Sequence, residues 1–520
     1  MKKIATALWL TALAASRAEP PAVQFLIDPT RAVHPISRYI YGVNQPLEGS
    51  YAQGTLVRSG GNRLTAYNWV TNASNAGSDW HFQNDNYLGG GDKPGGALAA
   101  AIENASIRRA AVLLTIPICG HVSADKKGDG DVRASGAEYL RTRFRESLPG
   151  KHSEFTLQPD SSSPKVFQDE FVNWVKMTYP HTQTDPGRPV FLAMDNEPDL
   201  WAATHAAIHP SKVTYAEIVE KTVDYAKAIK AVMPTAKIFG PVNYGWNGYT
   251  TLQDAPDGKG RDFQEFYLSQ LAAAEKASGC RLLDVFDIHW YPEAQGGGKR
   301  ITGPETTPEV VAARLAAPRS LWDSKYTEES WITKWSTKGP VTLIPRMFAK
   351  INKCYPGTQL AITEYNYGGG GHVSGAIAEA DVLGIFGREG VFAAAEWPQA
   401  KDETFIAAGM AMFRNYDGHE GIFLDTSILA ETSEVAATSI YASIESAGSN
   451  KMVLVALNKT DRPLEAAFTL AHARTYKVAQ VYQLTGAAAA PVKAGLIAIT
   501  IPTKWTCTLP AFSVSTIELR

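Results

Sequence analysis

Eight short apolar runs occur between about residue 38 and residue 415, and longer amphipathic stretches separate them. Each run ends in polar, glycine or aromatic residues, as expected where a buried parallel strand opens into a loop. In order they read YIYGVN, LVRSGGN, AVLLTIPICG, PVFLAMDNEP, KIFGPVNY, VFDIHWYP, LAITEYN and VFAAAEWP. Eight strand-then-helix units predict an α/β fold, a (β/α)8 TIM-like barrel over residues 38–425.

The stretches between the runs have the spacing of helices that pack one face on a core. Thr214 and Glu217 form a capping box at the start of one of them. Ile218 and Ile229 then fall on one face before Pro234 ends the helix. A doubly wound sheet would often begin with a glycine-rich phosphate turn, and no such turn follows the first run. The pattern therefore favours the barrel.

The pattern changes near residue 426, where strand-like runs follow one another closely with turn residues between them. They read SIYASIES, KMVLVALNKT, EAAFTL, TYKVAQVYQL, GLIAITI and AFSVSTIEL. This spacing predicts a β-sandwich domain over residues 426–520. The segment 19–37 contains a further run, VQFLID, which we expect to join that sandwich.

Residues 1–18 have the pattern of a secretory signal peptide. Lys2 and Lys3 precede the run IATALWLTALAA, which is too short to span a bilayer. Ser16 and Ala18 are small residues placed for cleavage after Ala18. No later stretch is apolar enough for a transmembrane helix. We therefore expect a secreted protein, extracellular or periplasmic, with no membrane partner.

Charge and composition narrow the class of partner. A net charge of −2 gives no reason to expect a nucleic acid or an anionic membrane, and we expect a monomer. The four cysteines lack metal-ligand spacing, so free thiols are expected, with a disulfide after export left open. The 12 tryptophans and 21 tyrosines are more informative, because ring-shaped ligands stack on aromatic faces.

Candidate chemistry lies at the ends of the predicted strands, where barrel enzymes have their active sites. Strand four ends in Asn196 and Glu197, and strand seven ends in Glu364. Two carboxyl groups suit glycosidic bond cleavage, in which one protonates the leaving oxygen and the other attacks the anomeric carbon or activates water. A separation near ~5.5 Å retains the anomeric configuration and roughly 6.5–9.5 Å inverts it, and the sequence leaves the distance open. We expect the mutual charge of the pair to raise the pKa of one member, the acid.

Further residues at these strand ends are candidates for substrate binding. Asn196 is expected to hydrogen-bond the sugar 2-OH, with a turn role as the alternative. His289 or Tyr291 is expected to orient a carboxylate, with a structural histidine as the alternative. Trp331 and Trp335 lie four apart, which is the spacing of a shared helix face and equally of a core pair. The substrate-binding set is Arg58, Trp69, Asn196, His289, Tyr291, Trp331, Trp335 and Trp397.

Five longer motifs resemble glycoside hydrolase family 44. They are SGGNRLTAYNWVTNASNAGSDW, AMDNEPDLW, DIHWYPEAQG, LAITEYNYGGG and GIFGREGVFAAAEWP, within a likeness that runs from about residue 39 to residue 400. The resemblance implies a barrel with a β-sandwich and a retaining, endo-acting hydrolase of β-1,4-glucans, including cellulose derivatives and xyloglucan. It also implies that Glu197 of the NEP motif is the acid/base and Glu364 of the ITEY motif is the nucleophile.

The resemblance further implies a structural calcium near the barrel rim, whereas we expect no cofactor for catalysis. Calcium prefers several oxygen ligands. Glu48, Asp169 and Glu170 are the candidate ligands, with solvated surface charge as the alternative. The segment DKKGDGD resembles a calcium loop but lacks the downstream bidentate glutamate.

Two other functions stay open on the sequence. One is a related barrel hydrolase that prefers xylan or mannan. The other is a non-catalytic polysaccharide-binding protein, which we would expect to have lost one of the two glutamates, and both are present.

Overall fold

The computed structural model describes residues 23–448, 450–472 and 476–520. The predicted signal peptide, residues 1–18, lies outside these ranges. Across the described ranges, no helix is long and apolar enough to cross a membrane.

Eight parallel strands close into a barrel in chain order, and the eighth pairs with the first. They are β1 (Tyr39–Val43), β2 (Leu56–Ser59), β3 (Ala111–Ile116), β4 (Val190–Met194), β5 (Lys237–Asn243), β6 (Val285–Trp290), β7 (Gln359–Tyr365) and β8 (Ala393–Glu396). Leu56, Leu113, Phe191 and Phe239 pack together in the barrel interior, as bulky apolar residues do in this fold. All eight strands coincide with the apolar runs, so the predicted barrel is confirmed.

Helices surround the barrel and cover the outer faces of the strands. Those of eight or more residues are Gly96–Ile107, Gln168–Thr178, Tyr215–Val232, Phe263–Ser278, Pro308–Ala316, Leu343–Cys354, Val373–Glu389 and Thr404–Arg414. The shorter ones are Gly49–Tyr51, Asn62–Thr65, Gly77–Trp80, Val132–Ser135, Tyr139–Arg143, His181–Thr184, Pro198–Leu200, Trp201–Thr204, Trp246–Thr251, Ala317–Leu321 and Ile332–Thr337. The predicted cap is present, because Thr214 Oγ1 accepts the Glu217 N–H at 3.0 Å.

A mostly antiparallel sheet domain follows the barrel. Its strands, in spatial order, are Ala488–Ala498, Val478–Thr485, Ser513–Leu519, Met452–Asn458, Thr438–Ile444, Thr426–Thr432, Val23–Asp28, Leu464–Leu470 and Lys504–Leu509, with His34–Pro35 beside Thr426–Thr432. Phe25, Phe468 and Trp505 from one end of this order share a core with Leu454 from its middle and Val481 from near the other end. The domain is therefore a sandwich in which the N-terminal strand Val23–Asp28 takes part.

Short strand pairs in the loops complete the fold. They are His121–Ser123, Phe144–Leu148 and Lys165–Phe167 in one sheet, Ser74–Asn75 with Asn84–Asp85, and Gln295–Gly296 with Lys299–Arg300.

Buried polar contacts join the two domains. The Asp381 carboxylate, on helix Val373–Glu389, accepts hydrogen bonds from the Tyr441 hydroxyl at 2.6 Å and the Lys459 ammonium at 2.5 Å. Thr516 Oγ1 donates to the Met412 carbonyl at 2.8 Å. Since the helix of Asp381 directly follows β7, the sandwich supports the strand that carries Glu364.

Candidate active site

Glu197 and Glu364 face each other at the C-terminal rim of the barrel. Glu197 follows β4, and Glu364 is the next-to-last residue of β7. One carboxylate oxygen of each lies within 4.8 Å of the other. Glu364 is buried, and the Glu197 side chain keeps 15% of its surface exposed. The two carboxyl groups thus approach each other closely at these oxygens, which favours the shorter of the two spacings found in glycosidases.

Arg58, at the end of β2, binds the Glu364 carboxylate. Its Nη1 lies 2.6 Å from Glu364 Oε1 and 2.9 Å from Asn44 Oδ1. Its Nη2 lies 2.8 Å from Asn196 Oδ1 and 3.2 Å from His289 Nε2. The guanidinium is fully buried, so little water competes for these bonds. Arg58 therefore holds groups from four strand ends in one arrangement.

His289, in β6, links the two glutamates. Arg58 has only hydrogens to offer, so His289 Nε2 accepts and the proton of the ring lies on Nδ1. That Nδ1–H points at Glu197 Oε1 at 2.9 Å and lies 3.4 Å from Glu364 Oε2. Burial lowers the pKa of His289 to about 3, so the imidazole is neutral. Tyr291 donates its hydroxyl to Glu364 Oε2 at 2.8 Å.

The two carboxyl groups have different surroundings. Burial raises the pKa of Glu197 to about 7, while the Arg58 charge lowers it and Asp79 raises it. Glu364 accepts one bond from a guanidinium and one from a phenol. The sequence led us to expect mutual charge as the cause of the raised pKa of Glu197. The largest cause is burial, and Glu364 is not among the charges that raise this pKa.

An open cleft runs past this pair. A cavity of about 910 Å³ is lined by both glutamates and by Trp80, Tyr87 and Trp397. A second cavity, of about 260 Å³, is lined by Glu197 but not by Glu364. Its walls include Tyr244, Trp246, Tyr291 and Trp331. Glu197 thus borders two cavities, and both have aromatic side chains in their walls.

Six of the eight predicted substrate-binding residues lie at this cleft or directly around the carboxyl pair. They are Arg58, Asn196, His289, Tyr291, Trp331 and Trp397. Trp335 is 69% exposed on the short helix Ile332–Thr337, with the Lys334 ammonium over its ring, and it lines neither cavity.

Trp69 does not face the cleft, contrary to the expectation that it binds substrate. Its ring is only 1% exposed and packs against Phe171 and Trp174 of helix Gln168–Thr178. Its indole N–H donates to the Phe167 carbonyl at 3.2 Å. Trp69 therefore belongs to the packing between the barrel and this helix and has no free face for a sugar. Trp201, 0% exposed, likewise forms no wall of the cleft.

Several cleft residues were missed by the sequence-based reasoning. Asn44 follows β1 and holds Arg58, and its place at a strand end was the available signal. Tyr87 is 75% exposed in the long loop after β2 and lines the same cavity as Trp80, a loop tryptophan of the kind that the sequence predicts to stack on sugar. Tyr244 follows β5 in the same manner as Asn44 follows β1.

Glu197, His289 and Glu364 are also a group of metal-ligating type, since one ligand atom of each lies within 4.8 Å of the others. The His289 Nδ1 atom carries a hydrogen toward the carboxylates, so it has no lone pair to offer there. The Arg58 guanidinium already provides the positive charge beside Glu364. The trio therefore does not fit a cation.

The residues predicted to hold calcium do not fit an oxygen cage either. Glu170 Oε1 accepts the Lys151 ammonium at 2.5 Å and the Thr156 N–H at 2.9 Å. Asp169 Oδ2 accepts the backbone N–H of Lys151 at 2.9 Å. Glu48 is exposed in the loop after β1. The Lys151 ammonium already neutralises the charge of Glu170. The structure therefore contradicts the expectation that Glu48, Asp169 and Glu170 hold a calcium ion.

All four cysteines are free thiols. Cys119 and Cys507 are buried, and burial raises the pKa of both thiols. This agrees with the free thiols expected from their spacing.

Comparisons with known proteins match this architecture. The profile of glycoside hydrolase family 44 matches residues 73–294. Endoglucanase A of Paenibacillus lautus is 40% identical over 515 residues, 96% of this chain and 72% of that protein. The crystal structure of a family 44 endoglucanase from Clostridium thermocellum has a TM-score of 0.91 at 40% identity and covers 96% of this chain and 99% of that one. A family 44 xyloglucanase of Paenibacillus polymyxa, solved with xyloglucan, has a TM-score of 0.91 at 39% identity with the same coverage. By identity over nearly its whole length, the chain belongs to glycoside hydrolase family 44.

Proposed function

We propose that this chain is a secreted, retaining endoglucanase that cleaves β-1,4-glucan backbones such as cellulose derivatives and xyloglucan. The observation that carries the proposal is the pair of facing carboxyl groups, one oxygen of each lying within 4.8 Å of the other. Retaining glycosidases hold their carboxyl groups about 5–5.5 Å apart, so that one can attack the sugar directly. The names of the relatives, endoglucanase and xyloglucanase, support the substrate class.

Glu364 is the nucleophile in this proposal and Glu197 is the acid/base. Arg58 holds Glu364 Oε1 and Tyr291 holds Oε2, and these two bonds fix the orientation of the carboxyl group. Glu197, with a pKa of about 7, is protonated in mildly acidic solution and can supply the proton of the leaving oxygen. His289 donates to Glu197 Oε1, so the transferable proton belongs on Oε2.

The reaction then runs in two steps. In the first, Glu364 attacks the anomeric carbon while Glu197 protonates the departing oxygen, and a glycosyl ester on Glu364 forms as the glycosidic bond breaks. In the second, Glu197, now a carboxylate, takes a proton from water as that water attacks the same carbon and releases Glu364. Asn196, whose side chain accepts a hydrogen bond from Arg58, is the residue that contacts the sugar 2-OH in this proposal.

The cleft supports an endo-acting enzyme with a defined direction. The nucleophile lines only the larger cavity, so the sugar that it attacks lies on the side of Trp397. The acid lines both cavities, so the leaving part of the chain extends past Trp331. Because both sides are open, the polysaccharide can bind within its length.

Substitution of Glu364 tests the mechanism. Glu364→Gln is expected to abolish turnover while the unfolding midpoint and oligosaccharide binding stay close to those of the parent. The first product of the parent enzyme is expected to be the β-anomer by NMR. Full activity of the variant would contradict the role of Glu364, and an α-anomer formed first would contradict retention.

A substrate panel tests the specificity. Reducing-sugar release is expected on carboxymethyl cellulose and xyloglucan, with much lower rates on xylan and mannan. Preference for xylan or mannan would favour the related hydrolase, and binding without release on all four would favour a non-catalytic protein. Glu364→Gln serves as the matched inactive control.

Export and a monomeric state are part of the same proposal. Expression of the full chain is expected to give a protein that begins at Glu19 outside the cytoplasm, as read by mass spectrometry. Light scattering is expected to give the mass of a single chain. An intact N-terminus retained in the cytoplasm would contradict export.

A further inference from the structure

Asp195 lies between the end of β4 and the two site residues Asn196 and Glu197. Its side chain is 0% exposed, yet no ion pair found among the described residues includes it. A buried carboxylate without a cation is costly unless hydrogen bonds satisfy it. The hydrogen-bond partners of Asp195 therefore show how the buried carboxylate is stabilised.

The Asp195 carboxylate accepts four N–H groups from three parts of the chain. Oδ2 accepts the backbone N–H groups of Ile118 and Cys119, in the loop after β3, at 2.7 and 3.0 Å. Oδ1 accepts the Asn196 N–H at 2.8 Å and the Trp201 indole N–H at 3.3 Å. One side chain thus ties the turn after β4 to the neighbouring loop and to the helix that follows.

The turn itself needs such support. Asp195 has φ 68° and Glu197 has φ 46°, so two of three consecutive residues are in the left-handed region without being glycine. The Glu197 N–H donates to the Val242 carbonyl at 3.0 Å, which holds the far side of the turn. A conformation of this kind persists only where its surroundings hold it.

We propose that Asp195 is a positioning residue that fixes the turn presenting Glu197, and so acts on proton transfer to the leaving group without touching substrate. This inference rests on the proposed acid/base role of Glu197. Glu364 itself is held by Arg58 and Tyr291, and the turn reaches it through the contact between Asn196 and Arg58, so the effect is expected mainly on Glu197.

Asp195→Asn isolates the contacts, because the two side chains have almost the same shape. An amide has one oxygen and one NH2 group in place of two acceptor oxygens. In either orientation the NH2 group faces two N–H donors, so one half of the carboxylate's contacts becomes repulsive. The turn is expected to relax and move the Glu197 carboxyl group.

The test compares two substrates that differ in their need for a proton. A cello-oligosaccharide leaves as a poor alkoxide and needs the acid, whereas 2,4-dinitrophenyl β-cellobioside carries a leaving group that departs without one. Asp195→Asn is expected to lower kcat/KM on the oligosaccharide by about 10²–10⁴, the usual contribution of a general acid. On the aryl glycoside, kcat/KM is expected to stay within about tenfold of the parent, and added azide is expected to raise kcat.

Glu197→Gln serves as the reference variant, and unfolding midpoints are measured for every protein. Equal losses on both substrates for Asp195→Asn, with the leaving-group dependence present in Glu197→Gln, would overturn the positioning role alone. A Glu197→Gln variant without that dependence would instead overturn the proposed function.

If Asp195→Asn fails to fold, Trp201→Phe tests the positioning role of Asp195. It removes one of the four donors and leaves the carboxylate in place. The same leaving-group pattern is expected with a loss of roughly 2–10-fold on the oligosaccharide, the effect of one hydrogen bond. A loss shared by both substrates would again overturn the inference.

Discussion

A rise in pH from about 6 to about 8 is expected to lower kcat/KM on a cello-oligosaccharide about tenfold, if Glu197 is the acid. Burial holds the pKa of Glu197 at about 7. Its protonated fraction then falls from about 0.9 at the lower pH to about 0.1 at the higher. Only the protonated carboxyl can give its proton to the leaving oxygen, so the rate follows this fraction.

The charges around Glu197 make the direction of a further change predictable. Asp79 lies in the same cleft and raises the pKa of Glu197 by its charge. Asp79→Asn removes that charge and favours the ionised form of Glu197. For this variant, kcat/KM is therefore expected to fall at a lower pH than for the parent. The maximum value of kcat/KM is expected to change less than the pH at which it is halved.

The assay measures kcat/KM across the pH range on the oligosaccharide and on 2,4-dinitrophenyl β-cellobioside. The aryl glycoside needs no proton for the first step, so its kcat/KM is expected to stay flat where the other falls. Circular dichroism at each pH confirms that the protein is folded. A fall in kcat/KM of the same size on both substrates, or no fall on the oligosaccharide, would refute the assignment of this pH dependence to Glu197.

Three further changes test the packing around the site. Gly61→Ala places a methyl group 2.7 Å from the Trp397 indole at φ 86°, so KM for oligosaccharides is expected to rise several-fold and stability to fall by about 1–2 kcal/mol; an unchanged KM would contradict a role for Trp397 in binding. Burial raises the pKa of Glu379, on helix Val373–Glu389, from 4.5 to about 8. Between these pH values the folded state holds a proton that the unfolded state loses, so the free energy of unfolding falls as pH rises, by on the order of 5 kcal/mol. Glu379→Gln is expected to flatten this slope in denaturant titrations at low and high pH, and an unchanged slope would count against it. Trp69→Ala is expected to cost about 3–5 kcal/mol of stability with KM unaltered, whereas a raised KM in the folded enzyme would restore its predicted contact with substrate.

The barrel was predictable because its strands are buried on both faces and read as continuous apolar runs. β4 and β6 are buried at every position, and helices separate them from their neighbours in the chain. The sandwich was less completely predicted. Thr426–Thr432 has a largely polar sequence, and Ala488–Ala498 is mostly exposed, so neither had an apolar pattern that marked its full length. Their pairing with neighbouring strands places them in the sheet.

Exposure of aromatic residues could not be predicted in the same way. Trp69 and Trp397 both follow barrel strands in sequence. Only Trp69 lies under helix Gln168–Thr178, which begins about a hundred residues later in the chain. What covers a side chain is thus decided by an element that its local sequence does not contain.

Some residues of the site could be predicted from the sequence and others could not. Position at a strand end identified Glu197 and Glu364, because parallel strands bring their C-terminal ends to one rim. Position at a strand end also made His289 and Tyr291 candidates for orienting a carboxylate, whereas the contact between Arg58 and Glu364, 306 residues apart, is set by the tertiary structure. Arg58 also acts on the second carboxyl group, since its charge lowers the pKa of Glu197 while burial raises it. The division of labour between acid and nucleophile in this site therefore follows from where one arginine points, and a residue that moves Arg58 would alter both carboxyl groups together.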